Sequence, residues 1–301
     1  LVVVSPAICG TIIGKYGTED QKQTWLTALA DGSKIMAFGI TEPDAGSNSH
    51  QITTTARRDG DDWLVRGSKI YISGVDQADA VLIVARMEDS KTGKLKPALF
   101  IVPTDAEGFQ KTQMQMDIIE PDHQFTLFLD DVRLPAEALV GEPDAALMQL
   151  FAGLNPERIL GAAMAVGMGR YALDAAVKYA NERTVWKTPI GAHQGIAHPL
   201  AQVKIELELA KVMMQKAAVL YDNGDDFGAA EAANMAKYAA AEASIKALDQ
   251  AIQTHGGAGL TEEYGLAAML GAARIARVAP VSREMILNFV AQHSLGLPRS
   301  Y

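Results

Sequence analysis

The chain has 301 residues, 49% of them hydrophobic, enough to bury a substantial core and to build two structural modules. Its 27 basic and 36 acidic side chains give a formal charge of −9, and the cations are dispersed with no basic stretch to track a phosphate backbone, which argues against a nucleic-acid partner. A single cysteine, Cys9, excludes an internal disulfide framework and a cysteine-ligated metal site, and it fits a reducing compartment such as the cytoplasm.

No run approaches the roughly 18 to 20 apolar residues that span a bilayer, and no apolar stretch has signal-peptide flanks, so a soluble protein without a membrane span is expected. The opening Leu1-Val2-Val3-Val4 has no polar or capping lead-in, and an N-terminal portion of a larger fold is expected to precede it.

Ser5-Pro6 reads as an N-cap followed by an N1 proline, and Thr18-Glu19-Asp20 opens a second apolar-periodic segment that ends near Gly32, so residues 5 to 33 predict two helices. From about 34 to 133 the texture changes to short β-rich runs: Ile35 to Thr41, Gln51 to Arg57, Trp63 to Val65, Lys69 to Ser73, Ala80 to Arg86, Ala98 to Val102 and Phe125 to Leu129. Turn formers at Asp59-Gly60-Asp61, Thr92-Gly93-Lys94 and Glu107-Gly108 separate them, which predicts a small antiparallel sheet. After about 145 the chain is alanine-rich and helical. Helices are predicted to start at Asn155-Pro156 and at His198-Pro199, the latter closing at Asn223-Gly224; a third runs from about 229 to the glycines at 256 and 257, and a last covers about 282 to 294. Long helices with short links predict an antiparallel bundle. Ile205 to Leu209 alternates like a strand, but it lies inside an uninterrupted helix-forming window, so length decides for helix.

Gly167-Met168-Gly169-Arg170-Tyr171-Ala172 matches the dinucleotide-binding G-x-G-x-x-A pattern, which needs a strand before it. The preceding Glu157 to Val166 reads as helix, so the glycines are assigned to close helix packing. Six histidines include no H-x-x-x-H or H-E-x-x-H pair, and no G-x-S-x-G elbow accompanies them, so neither a metal site nor a serine hydrolase is predicted.

The most informative segment is Phe38-Gly39-Ile40-Thr41-Glu42-Pro43-Asp44-Ala45-Gly46-Ser47-Asn48, a strand end running into a small-residue loop rich in hydroxyls. By its chemistry alone it is either an ordinary β turn or a loop whose backbone N–H groups approach a ligand, with Thr41 and Ser47 as extra donors. This segment resembles the T-E-P-x-A-G-S signature of acyl-CoA dehydrogenases. Further likenesses follow in order. Lys69-Ile70-Tyr71-Ile72-Ser73-Gly74 is similar to the family's K-x-W-I-T-N strand, and Leu129-Asp130-Asp131-Val132-Arg133-Leu134-Pro135 to its F-x-D-V-x-V-P turn. Glu182-Arg183-Thr184-Val185-Trp186 and His193-Gln194 resemble its E-R-x-x-F and H-Q stretches, and Gln253-Thr254-His255-Gly256-Gly257-Ala258-Gly259 its Q-x-x-G-G-x-G.

The resemblance implies an α+β fold: a partial N-terminal helical domain (1–33), a middle antiparallel β domain (34–140) and a C-terminal antiparallel four-helix bundle (141–301). It implies FAD as cofactor, an acyl-CoA substrate, a trans-2-enoyl-CoA product, an electron-transfer flavoprotein as partner, and a homodimer or homotetramer with FAD at the subunit interface. Such a protein is cytoplasmic, or in the mitochondrial matrix in a eukaryote. By the same resemblance Phe38, Ile40, Thr41, Tyr71, Ile72 and Ser73 line the flavin ring, Tyr71 standing where the family usually has tryptophan. Arg183, Trp186, Gln194, Gln253 and Gly257 contact the dinucleotide end, partly across a subunit interface; Ser282 joins the cofactor positions. Taken alone, Arg183 is a solvated helix-end charge.

The reaction needs a carboxylate base beside the flavin. Most family members carry that glutamate in a Y-E-G-T segment, where this chain has Ala279-Pro280-Val281-Ser282. A minority place it in an E-R pair on the opening helix of the bundle, and Glu157-Arg158 stands at that position. Glu157 is accordingly the expected base, with Arg158 and Ser47 as substrate-binding residues. Read without the resemblance, Glu157 in a first turn after an Asn155 N-cap complements the helix dipole. Pro280 removes a backbone N–H that in the family helps hold the thioester carbonyl, and Gly271 stands where the family usually has arginine. Two other readings stay open: an oxidase or monooxygenase on the same fold, and a non-catalytic FAD- or acyl-CoA-binding subunit that completes a partner's site.

Overall fold

Residues 4–89, 92–119, 122–142 and 146–300 are described by a computed structural model, and the first three residues of the apolar opening lie outside them. The chain divides into two units, one of Leu1–Met116 with Pro121–Glu157 and one of Asp117–Glu120 with Arg158–Tyr301. The three-part division at residues 33 and 140 stands as a proposal beside that packing. The architecture is α+β, as expected, and no helix among the described residues is long and apolar enough to cross a membrane.

In the first unit a π-helical turn, Val4–Gly10, runs into α1 (Thr11–Tyr16) and is followed by α2 (Glu19–Asp31). A capping box opens α2: the Gln21 amide donates to the Thr18 hydroxyl at 3.2 Å, and the Thr18 amide donates to Gln21 Oε1 at 3.0 Å. Gly32, at φ +77°, closes it. The sheet follows: β1 (Met36–Gly39), β2 (Thr55–Asp59), β3 (Asp62–Ser73), β4 (Ala80–Glu88), β5 (Leu95–Pro103), β6 (Phe109–Met114), β7 (Gln124–Leu134) and β8 (Leu139–Val140). Its order is β6-β7-β3-β2-β4-β5-β8, with β1 added beside β4.

The sheet departs from purely antiparallel. One edge of β4 pairs in parallel with β1 at Ala80 to Ile83 and with β2 at Arg86 and Met87, while its other edge runs antiparallel to β5. Strand β4 is buried on both faces, which is why it reads as a continuous apolar run. Its side chains alternate between two cores. Val81, Ile83 and Ala85 join Trp63, Phe100 and Leu127, whereas Ala80, Leu82 and Val84 join Ile8, Ile12 and Leu150.

The runs Trp63 to Val65 and Lys69 to Ser73 are one bulged strand, and the expected turn at Asp130-Asp131 is a kink inside β7, with Asp131 at φ +50°. Strand β6 has no counterpart among the predicted runs because its residues are mostly polar and exposed, which hides the alternation of an edge strand.

The second unit is helical. Helix α3 (Ala146–Glu182), from Arg158 onward, packs with α4 (Gln194–Asp222), α5 (Asp226–His255) and α6 (Leu266–Val278) around three stacked apolar layers, with α7 (Arg283–Phe289) beyond them. Two expected starts are corrected: α3 begins at Ala146 and α4 at Gln194, each with its proline inside. A proline deletes only its own N–H bond, and burial of Gln149, Leu150 and Asn155 holds the earlier turns of α3 regardless. Helix α6 has no counterpart among the predicted helices; its N-cap, Gly265, makes no side-chain capping bond, and Gly271 interrupts its pattern.

Gly169 lies inside α3, where a Cβ would sit 2.6 Å from Leu207 of α4 and 3.1 Å from the Ser244 backbone of α5. This is the close helix packing expected of that glycine. Gly161, on the same helix, has nothing within 4 Å of such a Cβ.

One buried ion pair organises the loop after β1. Lys69 Nζ, fully buried, donates to Glu42 Oε1 at 2.8 Å and to the Ile40 carbonyl at 3.1 Å. The Glu42 carboxylate also accepts from the Thr53 amide (2.6 Å), the Thr53 hydroxyl (2.8 Å) and the Thr54 amide (2.9 Å). Burial alone would raise the Glu42 pKa, but these hydrogen bonds and the Lys69 charge outweigh it and bring it down to about 2. For Lys69 burial wins over the attraction of Glu42, lowering its pKa to about 8.

Gly161→Ala is expected to stabilise the protein by up to about 1 kcal/mol through helix propensity. Gly169→Ala is expected to destabilise it by about 1–3 kcal/mol through overpacking; urea denaturation with circular dichroism checks both. The folded Glu42 carboxyl binds its proton more weakly than the unfolded one, so its stabilisation is fully present above about pH 4.5 and lost as the pH falls through about 2. Over that window the parent should lose roughly 2–4 kcal/mol that Glu42→Gln does not lose. At neutral pH Glu42→Gln should cost about 3–5 kcal/mol by leaving Lys69 buried against a neutral partner.

Candidate active site

The ion pair fixes the exit of β1, and with it the hydroxyl-rich loop. The Ile70 amide donates to the Thr41 carbonyl at 2.9 Å, stitching that loop to β3, and reciprocal Glu42–Ala45 backbone bonds close the turn beyond. Thr41, Phe38 and Ile40 are half-buried beside it, the latter two packed on the core, and Ser47 is exposed past the turn.

Tyr71 owes its position to a bulge. Between Lys69↔Leu127 and Ile72↔Phe125, β3 spends one more residue than β7, and Tyr71 takes φ +60°. Its ring is consequently 58% exposed. Ile72 is the exception among the expected ring contacts: its side chain is buried in the sheet core and is not available to a ligand. Ser73 is half-buried and its hydroxyl donates to Gln124 Oε1 at 3.0 Å.

Glu157 belongs to the same unit. Because α3 starts at Ala146, Glu157 lies three turns inside the helix, so Asn155 is no N-cap and the expected dipole pairing is corrected. Gly153, one turn earlier, lets α3 close on the N-terminal segment, where a Cβ would sit 3.0 Å from Ile12 and 3.1 Å from Ile8. Glu157 is half-buried, and its charge acts on the Cys9 thiol, whose pKa is pushed up by burial first and by Glu157 second. The Cys9 thiol in turn donates to the Ala37 carbonyl at 3.5 Å, next to Phe38 on β1. Arg158, half-buried, follows on α3.

In the second unit Arg183, Gln253 and Gly257 line one open cleft of about 420 Å³, together with Tyr179 and His255. The chain reaches it through a small hairpin of β9 (Thr184–Val185) and β10 (Thr188–Pro189), joined by Trp186 and Lys187. Both loop residues have positive φ, 51° and 67°, the signature of a type I′ turn. Trp186 is 85% exposed at its tip and meets the His193 ring edge-on at 5.9 Å, beside Gln194, which opens α4. Trp186 and Gln194 are not part of the cleft lining. Ser282 is engaged in capping α7, accepting from the Met285 amide at 3.3 Å, and Lys237 Nζ donates to the Val281 carbonyl.

Sequence reasoning assigned no role to Lys69, Glu42, Cys9 or His255. His255 is buried between Tyr179 and Tyr264, with Nδ1 2.7 Å from the Ala251 carbonyl, which fixes its ring beside the cleft. Each of His255, Glu42 and Lys69 stands inside a segment that motif likeness singled out, which was the available local signal; the pairing of Lys69 with Glu42 and the contacts of Cys9 join residues distant in sequence and leave none.

The family models for the acyl-CoA dehydrogenase middle domain and C-terminal domain match residues 37–132 and 148–295. Over 100% of its length the chain is 72% identical to acyl-CoA dehydrogenase FadE12 of Mycobacterium tuberculosis (strain ATCC 25618 / H37Rv), covering 78% of that protein. Its fold matches butyryl-CoA dehydrogenase from Megasphaera elsdenii with a TM-score of 0.91 at 30% identity, over 97% of this chain and 76% of that one. It also matches a glutaryl-CoA dehydrogenase from Mycobacterium smegmatis in complex with FADH2, with a TM-score of 0.87 at 28% identity, over 98% and 74% of the two chains. Two family domains in the right order, and close identity along the whole chain, lead to one conclusion: the chain belongs to the acyl-CoA dehydrogenase family of oxidoreductases.

Proposed function

We propose that the protein oxidises an acyl-CoA thioester to its trans-2-enoyl-CoA, with FAD as cofactor, and passes the electrons to an electron-transfer flavoprotein. The working location is the cytoplasm, or the mitochondrial matrix in a eukaryote, and the working assembly is a homodimer or homotetramer. The residues fit the cofactor. Tyr71 holds an exposed aromatic face out of a bulge, where a flat ring can stack, and Arg183 with Gly257 offers a cation and close backbone approach to a pyrophosphate.

FAD, when bound, supplies the acceptor for the hydride leaving the β carbon. The Glu157 carboxylate takes the α proton. Thr41 and Ser73 have hydroxyls for the polar edge of the ring, with Phe38, Ile40 and the Ile72 backbone as its surroundings. Arg183, Trp186, Gln194, Gln253 and Gly257 serve the dinucleotide end, partly across a subunit interface, with Ser282 as a backbone contact. Ser47 and Arg158 serve the substrate. Because Pro280 has no N–H, the thioester carbonyl must be held by other donors.

The observation that carries this reading is the interior position of Glu157. A glutamate three turns into a helix has no dipole to complement, and its charge falls on a buried thiol that touches β1. Desolvation under bound substrate would raise its pKa toward that of a working base.

A panel of acyl-CoAs added anaerobically to the purified holoenzyme should bleach the long-wavelength flavin band with at least one thioester. Glu157→Gln should slow that bleaching by about 10²–10⁴-fold while still binding the cofactor. Bleaching at the parent rate would remove Glu157 from the chemistry. Rapid reoxidation by oxygen in stopped flow would move the protein to the oxidase reading, and absence of bleaching with every thioester would favour the partner-completing one.

A further inference from the structure

The connection between α6 and α7, Ala279 to Ser282, has little of its own to hold it. It contains no helix or strand, Val278 at its entry is 62% exposed, and Ala279 and Pro280 are exposed. Its anchors come from α5. Lys237, 3% exposed and three turns inside that helix, donates from Nζ to the Val281 carbonyl within the segment. Glu242 holds both flanks: it accepts from Arg277 at the end of α6, and Arg283 at the start of α7 lies 3.8 Å away, with its guanidinium 5.9 Å from the Tyr238 ring.

These tethers are unequal. The side chains of Arg277, Glu242 and Arg283 are 21%, 29% and 37% exposed, so their ion pairs are screened by water and hold weakly. The Lys237 ammonium is out of water, where a charged donor on a carbonyl is strong and directional. Burying that charge is costly, and an apolar side chain of similar length would fill the same space without the cost. A buried lysine reaching a loop carbonyl 44 residues away is therefore suited to fixing a conformation. We propose that Lys237 is a positioning residue for the reaction: by holding the Val281 carbonyl it fixes the α6–α7 connection and so places the Ser282 backbone that serves the cofactor. This rests on the reading of Ser282 as a cofactor contact. The Ser282 hydroxyl and carbonyl already accept from the Met285 and Ile286 amides, so those two amides report on where Ser282 is held.

Lys237→Met removes the donor at similar length, and Lys237→Arg keeps a cationic one. In hydrogen exchange of the holoenzyme, the Met285 and Ile286 amides of Lys237→Met should exchange at least about tenfold faster than in the parent, while those of α4 keep their protection. Release of FAD on dilution, followed by flavin fluorescence, should show a Kd raised about tenfold in Lys237→Met and recovered at least in part in Lys237→Arg. If Lys237→Met does not fold, Lys237→Gln, whose amide falls short of the carbonyl, gives the same comparison. A parent that carries no FAD would overturn the cofactor reading and the proposal with it. A parent that carries FAD, with either measurement unchanged in Lys237→Met or with Lys237→Arg recovering nothing, would overturn the proposal alone.

Discussion

The loop after β1 and its attachment to β3 depend on Lys69 being buried beside Glu42. Two ions taken out of water are tolerated only when their remaining hydrogen-bonding capacity is filled, and here the Thr53 and Thr54 amides and the Ile40 carbonyl fill it. The pair therefore ties four segments to one point: the exit of β1, the loop after it, the approach to β2, and β3. It also sets the problem that the bulge solves. In a regular strand Tyr71 would share the face of Lys69, two residues away, and would be buried with it. The extra residue between Lys69 and Ile72 turns Tyr71 outward, so one strand anchors the loop from inside and presents an aromatic ring outside.

A second constraint is the continuity of α3. Prolines 156 and 199 both look like helix starts in the sequence, and both lie within helices. Local chemistry allows either outcome, because a proline removes one donor and leaves the rest of the helix free to form. Packing decides. Leu150 joins the core beneath the sheet, and Gly153 accepts Ile8 and Ile12 at close range, so the helix extends upstream. The consequence reaches the chemistry: the helix-dipole explanation of Glu157 depended on a start at Pro156, and it falls with that start.

Much of the fold was legible because its signals are local. The Thr18 capping box, the αL glycine at 32, the apolar run of β4 and the alanine face of α5 each determine their element within a few residues. What was not legible depends on partners far along the chain. The parallel edges of β4, the bulge under Tyr71 and the burial of Lys69 arise from pairing across long sequence separations, and a polar edge strand such as β6 gains its order from β7 alone. The site divides the same way. Motif likeness named the positions, but the ligation of Glu42, the neighbourhood of Cys9 and the ring cluster around His255 required the folded chain.

Backbone strain marks one place in each unit that motif likeness also named. Among the described residues, four that are not glycine have positive φ: Tyr71, Asp131, Trp186 and Lys187. Such a conformation is costly for a bulky side chain and persists only where the surroundings enforce it. Asp131 is held by Arg66 at 3.0 Å, and Lys187 completes a two-residue turn. Tyr71 and Trp186 remain, and each combines the unusual backbone with an exposed aromatic ring. Exposing an aromatic ring forfeits the burial that usually stabilises it, so each of these rings, taken within its own unit, is a surface that a flat partner could cover with a gain in free energy.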